Sequence, residues 1–358
     1  MKLAIDSHTL EQGEWAGKEQ YLMSLLVALK ERSGVELFVY SRRPLNLEPS
    51  LGLAVTFVSK RLPKPLWQIW LLRDLRRQKI DHFFAPCTYL AAALNIFVPQ
   101  TIVIHDLSSL LPKVRQTHTR VLRLKERLTL ALALANSRHI IAISEHTKED
   151  IGRYFPAARQ KIKVIYQGCR FGVLRAEQVD REKKPLVLAV GTIEPRKNLA
   201  ALITAFEDLK RLEPATAWRL VVIGKVGWKA APILDLMSKS PFADDIEITG
   251  YIDDSSLRAY YQEAACLVYP SNYEGFGLPV VEAMANGCPV IAASHSSLPE
   301  VMGQAGIYFH KLADISVLVR KLRTDRIWRD QVIDRGLAQA RAFSWEQAAQ
   351  SIKTLIQS

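Results

Sequence analysis

Cysteine is scarce in this chain of 358 residues: Cys87, Cys169, Cys266 and Cys288 are widely spread and form no Cys-x-x-Cys pair. Disulfide scaffolds and structural zinc sites need closer sets, so neither organises the fold, and the four read as reduced, buried thiols. The eight histidines make no His-x-x-x-His ladder, and no metal or other cofactor is expected. Long apolar runs are missing as well. The stretch 130–135 is far below the ~18 residues a membrane span needs. The N-terminus places Asp6 inside what would have to be an apolar signal core, so it reads as a first strand, and a cytoplasmic protein is the expectation. Acid is in short supply only in the first half. Residues 1–170 hold 26 Lys and Arg against 14 Asp and Glu, so the whole net charge of +12 arises there. Such asymmetry points to an anionic partner: nucleic acid, an acidic membrane surface or a phosphate-bearing substrate.

What is present is an alternation of short β-rich runs with helical ones. Strands are expected at 2–6, 36–40, 55–58, 82–85, 101–104, 139–143 and 163–166, with helices at 18–31, 66–79 and 118–135 between them. The pattern lapses into a polar stretch at 168–184, read as a linker. It resumes with strands at 186–190, 220–223, 246–249, 266–269 and 289–292 and a helix at 198–212. Strands separated by helices imply parallel sheets covered on both faces, here two Rossmann-like α/β domains. Ligands of such sheets sit beyond the carboxyl ends of the strands, which directs attention to a cleft between the domains.

Two segments carry chemistry. In the first, residues 269–287, a strand ends, a turn with Gly275 and Gly277 follows, and a helix starts near Leu278 with proline in its first turn. The glycines let backbone approach a ligand, and the new helix offers N–H groups to an anion. Glu274 lies in the loop and Glu282 eight residues on; carboxylates only accept hydrogen bonds, which suits the paired hydroxyls of sugars. The second segment, Gly191 to Asn198, follows a strand and opens a helix with Arg196 and Lys197 at its start. Two cations beside a helix N-terminus are unfavourable without an anion, and together they make a phosphate site.

These segments, with Thr249-Gly250-Tyr251-Ile252 and Ser296-Ser297-Leu298-Pro299-Glu300-Val301, resemble the retaining glycosyltransferases of family 4. The resemblance continues through His105-Asp106-Leu107, Ile143-Ser144-Glu145 and the Phe343-Ser344-Trp345-Glu346 start of a last helix. It implies the GT-B fold: an acceptor-binding domain over 1–172, a nucleotide-sugar-binding domain over 173–342, and a helix at 343–358 crossing back to the first. It also implies roles. Glu282 would accept from the nucleotide ribose and Glu274 from the donor sugar, while Arg196 and Lys197 hold the diphosphate. Backbone at Gly275, Phe276, Gly277 and Leu278 would add contacts, Tyr251 would join the donor site, and His105 would reach the donor sugar. The family's first loop carries a Gly-Gly pair where this chain has Ala16-Gly17, so only Gly17 matches, and Thr192 stands where many relatives have arginine.

The reaction implied is transfer from a nucleotide-diphosphate sugar, with a weak lean to a GDP-mannose type, to a saccharide or lipid-linked acceptor. Catalysis would be positioning plus electrostatic stabilisation of the leaving diphosphate. There is no Asp-x-Asp, the metal–diphosphate clamp of the other large transferase fold. A nucleic-acid reader motif is absent, so no nucleic-acid partner is expected. Gly224-Lys225-Val226-Gly227 is not a dinucleotide fingerprint. A GT-B epimerase or phosphorylase is the nearest rival. Basic stretches at 61–79 and 113–127, mixed with leucine and tryptophan, suit an anionic membrane surface. Two core-packed helices with solvated charge explain them equally.

Overall fold

The computed structural model describes residues 1–11, 17–30, 34–45, 55–111 and 120–358. Ala16 and residues 113–119 of the second basic stretch lie outside the described residues. The chain forms two compact units, one of residues 1–168 with 344–358, the other of residues 169–343.

In the first unit a seven-stranded parallel sheet runs in the order β3-β2-β1-β4-β5-β6-β7. Its strands are β1 (Lys2–Asp6), β2 (Glu36–Ser41), β3 (Val55–Ser59), β4 (His82–Ala85), β5 (Gln100–Ile104), β6 (His139–Ala142) and β7 (Ile162–Val164). Its helices are α1 (Gly17–Lys30), α2 (Lys64–Arg77), α3 (Leu90–Leu94), α4 (Arg120–Asn136) and α5 (Glu145–Tyr154). The second unit repeats the wiring: α6 (Leu199–Leu212), α7 (Ala231–Ser238), α8 (Asp254–Glu263), α9 (Leu278–Ala285), α10 (Leu298–Met302), α11 (Leu312–Thr324) and α12 (Arg326–Ala340) flank a six-stranded parallel sheet. That sheet, in the order β10-β9-β8-β11-β12-β13, comprises β8 (Lys184–Val190), β9 (Arg219–Ile223), β10 (Ile246–Gly250), β11 (Ala264–Tyr269), β12 (Val290–Ala293) and β13 (Ile307–Phe309). These are two Rossmann-like sheets. Each reverses its winding once, between β1 and β4 and between β8 and β11, and at such switch points open α/β sheets leave room for a ligand.

Local sequence accounts for the elements. β4, β5, β11 and β12 are buried along their whole length, as strands covered on both faces must be; β11 and β12 read as unbroken apolar runs, whereas β4 and β5 open on the buried, hydrogen-bonded His82, Gln100 and Thr101. α6 turns Leu199, Leu202, Ile203, Phe206 and Leu209 inward at helical spacing. Ser144, Asp253, Asp325 and Ser344 each cap a helix by accepting a backbone N–H. No helix among the described residues is long and apolar enough to cross a membrane.

The unit boundary falls at 168, earlier than the expected 172, and residues 169–184 are not a free linker. Leu174 N–H donates to the Ala285 carbonyl, Val179 packs on Ile333 and Leu337, and Arg181 pairs with Asp334 at 2.6 Å. Charge in this stretch is spent on fixed partners in the second unit. At the other crossing, the last helix α13 (Trp345–Gln357) belongs with the first unit. Trp345 packs edge-on against Tyr21 of α1, ring centroids 5.2 Å apart. Its start presses so closely on Gly168 that a Cβ there would fall inside contact distance of the Trp345 backbone nitrogen and ring. Gly168→Ala must therefore displace backbone, and it lowers the thermal midpoint by several degrees, as a ΔΔG of about 1–3 kcal/mol would. An unchanged midpoint by scanning calorimetry contradicts this close approach.

Candidate donor site

Both chemistry-bearing segments meet at the switch point of the second sheet. β8 ends at Val190, and the chain runs through a short 3₁₀ turn, Pro195–Lys197, before Asn198 takes a left-handed conformation (φ 53°) and starts α6. β11, the neighbour of β8, ends at Tyr269 and leads through Glu274 to Gly277, whose φ of 106° admits the turn into α9. Asn272 N–H donates to the Arg196 carbonyl at 2.9 Å and ties the two loops together.

Glu274 sits between the two cations. Its Oε1 accepts from Lys197 Nζ at 2.7 Å and its Oε2 from Arg196 Nη1 at 2.9 Å, with the residue only 6% exposed. Arg196 is held on its other side by Glu194 Oε1, at 3.0 Å from Nε and 2.7 Å from Nη2, and by the Tyr273 carbonyl at 2.7 Å. Lys197 Nζ also donates to Tyr269 Oη at 2.7 Å. Ser296 and Ser297 hydroxyls donate to the Glu274 carbonyl at 2.6 and 3.1 Å, and Ser296 accepts its N–H at 2.9 Å. The backbone of the carboxylate is therefore as fixed as its side chain. Burial pushes the Glu274 pKa up, but the Lys197 and Arg196 charges outweigh it and hold the carboxyl below its ordinary range. Beside this cluster a shallow open hollow is lined by Gly191, Lys197, Tyr269, Pro270 and Ser271 among others.

Glu282 occupies a different place in the same unit. It is 3% exposed; its Oε1 pairs with Arg170 Nε at 2.8 Å and its Oε2 accepts from Tyr261 Oη at 3.1 Å. Burial raises its pKa against the pull of Arg170 and Tyr261. Arg170 is anchored in turn by Asp254 at 2.8 Å and by the face of Phe171. Tyr251, just past β10, is 62% exposed, whereas the Phe276 ring is core, edge-on to Phe343 at 5.4 Å. Leu278 is the first residue of α9.

In the first unit His105 follows β5. Its Nε2 lies 2.8 Å from the Pro86 carbonyl, which only accepts, so Nε2 carries the proton and Nδ1 is the acceptor. Burial, aided by the charge of Lys18, lowers its pKa to about 4, so the ring is neutral at pH 7. Gly17 opens α1 with nothing crowding the place of a Cβ.

Residues 15–170 match the model described as Glycosyltransferase Family 4, and residues 172–336 match Glycosyl transferases group 1. The chain belongs to glycosyltransferase family 4. Among relatives of this transferase, the O-antigen chain mannosyltransferase B of Escherichia coli is 32% identical over 298 residues, 80% of this chain and 76% of that one. The O-antigen chain mannosyltransferase RfbU of Salmonella typhimurium is 26% identical over 306 residues, 82% of each chain. In fold it matches sucrose-phosphate synthase from Thermosynechococcus elongatus (TM-score 0.80, 19% identity, 100% and 98% of the two chains). It also matches Anabaena HepE in complex with UDP and glucose (TM-score 0.77, 18% identity, all of both chains). The fold is GT-B.

Of the expected site residues, the transferase brings Arg196, Lys197 and Glu274 into direct contact and holds Glu282 apart from them. Sequence reasoning missed Glu194, Tyr269, Tyr261 and Arg170. Glu194 could have been suspected from its spacing, two residues before a cation it flanks. Arg170 gives no local sign, because its partner Glu282 is far along the chain.

Proposed function

We propose that this chain moves a sugar from a nucleoside-diphosphate donor to a saccharide or lipid-linked acceptor, with retained anomeric configuration, in surface-polysaccharide synthesis. The observation that carries the reading is the pair Arg196 and Lys197 converging on one buried anion at the switch point. As the donor's glycosidic bond breaks, negative charge grows on the leaving diphosphate. Cations already oriented by Glu194 and Tyr269 stabilise that charge without reorganising, and they supply what a metal would otherwise provide. A diphosphate entering this site competes with Glu274 for both cations. Drawn off them, Glu274 is left to accept from hydroxyls of the donor sugar. Glu282, with acceptor capacity beyond its two bonds, takes the ribose. His105 accepts through Nδ1 from the sugar, and Tyr251 and the backbone of Gly17, Gly275, Phe276, Gly277 and Leu278 complete the donor contacts. GDP-mannose is the first donor to try, because the two relatives above are named mannosyltransferases. A UDP-sugar is the second, because HepE binds UDP and glucose.

The acceptor is met at the inner face of a membrane in this reading. α4 is apolar on two sides. Leu130, Ala133 and Leu134 face the core, while Val121, Leu124, Leu128 and Leu132, spaced three and four apart, are exposed next to Lys125 and Arg127. Leu94, Ile96 and Phe97 are exposed on and after α3, which packs against α4, and Arg76 of α2 lies over the Phe97 ring at 4.5 Å. Exposed leucines among cations suit an anionic bilayer. The protein should sediment with phosphatidylglycerol vesicles at low salt and come off as salt rises. Leu124→Ser with Leu128→Ser should weaken this without changing the thermal midpoint. Equal sedimentation with neutral and anionic vesicles refutes it.

The site itself is tested by splitting the roles of its charges. Lys197→Ala should weaken GDP or UDP by about ten- to hundredfold, the loss of a charge-assisted hydrogen bond of roughly 1.5–3 kcal/mol. Glu274→Gln should bind the same diphosphate at least as tightly as wild type, since a competing anion is gone, yet transfer sugar far more slowly. Wild-type turnover should survive excess chelator. Calorimetry and product analysis read all three. Loss of diphosphate affinity in Glu274→Gln as severe as in Lys197→Ala overturns the sugar-facing role. Rescue of chelator-treated enzyme by magnesium or manganese overturns metal independence.

A further inference from the structure

The switch point of the first sheet carries a constellation of its own. β1 ends in Asp6, 2% exposed, and its carboxylate meets three donors. One oxygen lies 2.7 Å from His8 Nδ1 and 3.3 Å from the His8 backbone nitrogen, and the other accepts from Thr88 Oγ1 at 2.6 Å. Thr88 follows β4, the strand beside β1, so the group bridges the point where the winding reverses. The His8 ring leans on Trp67, centroids 5.2 Å apart, and the residue keeps 8% exposure.

A carboxylate only accepts, so Nδ1 carries a proton, and in the neutral ring the lone pair is left on Nε2, which has no partner among the described residues. A histidine needed only to fill space has no use for a buried carboxylate that fixes its tautomer. One that must offer a lone pair in a set direction does. An anionic ligand is disfavoured here by Asp6 itself and by Glu11 on the same turn. A neutral O–H donor is not.

We propose that His8, oriented by Asp6, accepts a hydrogen bond from a hydroxyl of the saccharide acceptor, so that the end of β1 is the acceptor subsite of the transferase. The inference rests on the transferase reading and adds to it where the acceptor hydroxyl is received. Asp6 is a positioning residue in this scheme. Burial opposes a charged His8 ring, but Asp6 outweighs it; Glu11 adds to that effect and Lys64 of α2 opposes it, leaving the pKa above its ordinary value. A protonated ring cannot accept. Acceptor binding therefore weakens as pH falls through a pKa above about 6.5.

The test uses the full chain with GDP-mannose and UDP-glucose and the methyl glycosides of mannose, glucose, galactose and N-acetylglucosamine as acceptors. His8→Phe should raise the acceptor KM by roughly tenfold or more, the loss of about one hydrogen bond. Binding of the nucleoside diphosphate and hydrolysis of the donor by water should stay within about twofold. His8→Gln, whose amide oxygen can accept, should recover part of the loss and remove the acid limb of the acceptor KM. Asp6→Asn should move that limb to lower pH. In ¹⁵N-histidine spectra of the wild type, saturating acceptor should shift the His8 Nε2 resonance. If no glycoside is turned over, the same spectra are recorded with each at saturation. An unchanged acceptor KM in folded His8→Phe, or an Nε2 resonance that no glycoside moves, overturns the proposal. If neither nucleotide sugar is bound or consumed, the transferase reading falls first, and that failure is seen without any acceptor.

Discussion

The second unit is organised around a carboxylate that cannot be left alone. Glu274 is buried, and an ionised carboxylate in that setting must be paired or protonated. Arg196 and Lys197 pair it, and they reach it only because β8 and β11 are adjacent in the sheet although far apart in sequence. The parallel order, the left-handed Asn198 and the positive φ of Gly277 all serve to bring one loop from each strand to this meeting. Breaking a buried pair of this kind by removing one partner costs several kcal/mol, which binds the site chemistry to the stability of the fold. With Glu194 added, the four side chains carry two charges of each sign. The resting site is therefore closed electrostatically, and in the proposed reading a diphosphate would open it by replacing one of its anions.

Both sheets share one winding, and each puts ionisable groups at its switch point. The contents differ in a way that matches opposite tasks. The second sheet offers two cations. The first offers histidine rings, His8 with a proton on Nδ1 and, just beyond β5, the neutral His105 with its proton on Nε2, each proton placed by the acceptor opposite it. Positive charge at one switch point and oriented lone pairs at the other suit an anionic leaving group and a hydroxyl nucleophile respectively.

Much of this was legible in the sequence. Strands buried on both faces are mostly apolar, so nearly all were found with ends close to the observed ones. β13 escaped because three residues between Gly306 and His310 make too short a run, and α3 because five residues show no periodicity. The polar stretch after Gly168 resembled a linker because composition does not reveal partners: Arg170 and Arg181 are neutralised by Glu282 and Asp334, far along the chain. The same limit applied at the site. Arg196, Lys197, Glu274 and Glu282 announced themselves by type and spacing. That three of them form one network while Glu282 is held elsewhere by Arg170 and Tyr261 is a property of strand order, which no local pattern encodes.

The central claim is that the Arg196–Lys197 pair recognises a diphosphate. Calorimetric titration of GDP beside GMP, and of UDP beside UMP, into the wild-type chain at low and high salt addresses it directly. With both cations engaged by the pyrophosphate, the preferred nucleoside diphosphate should bind at least roughly tenfold, or about 1.4 kcal/mol, tighter than its monophosphate, and the difference should narrow as salt rises. Equal affinity of diphosphate and monophosphate for both bases, or a difference that salt leaves untouched, would contradict the account.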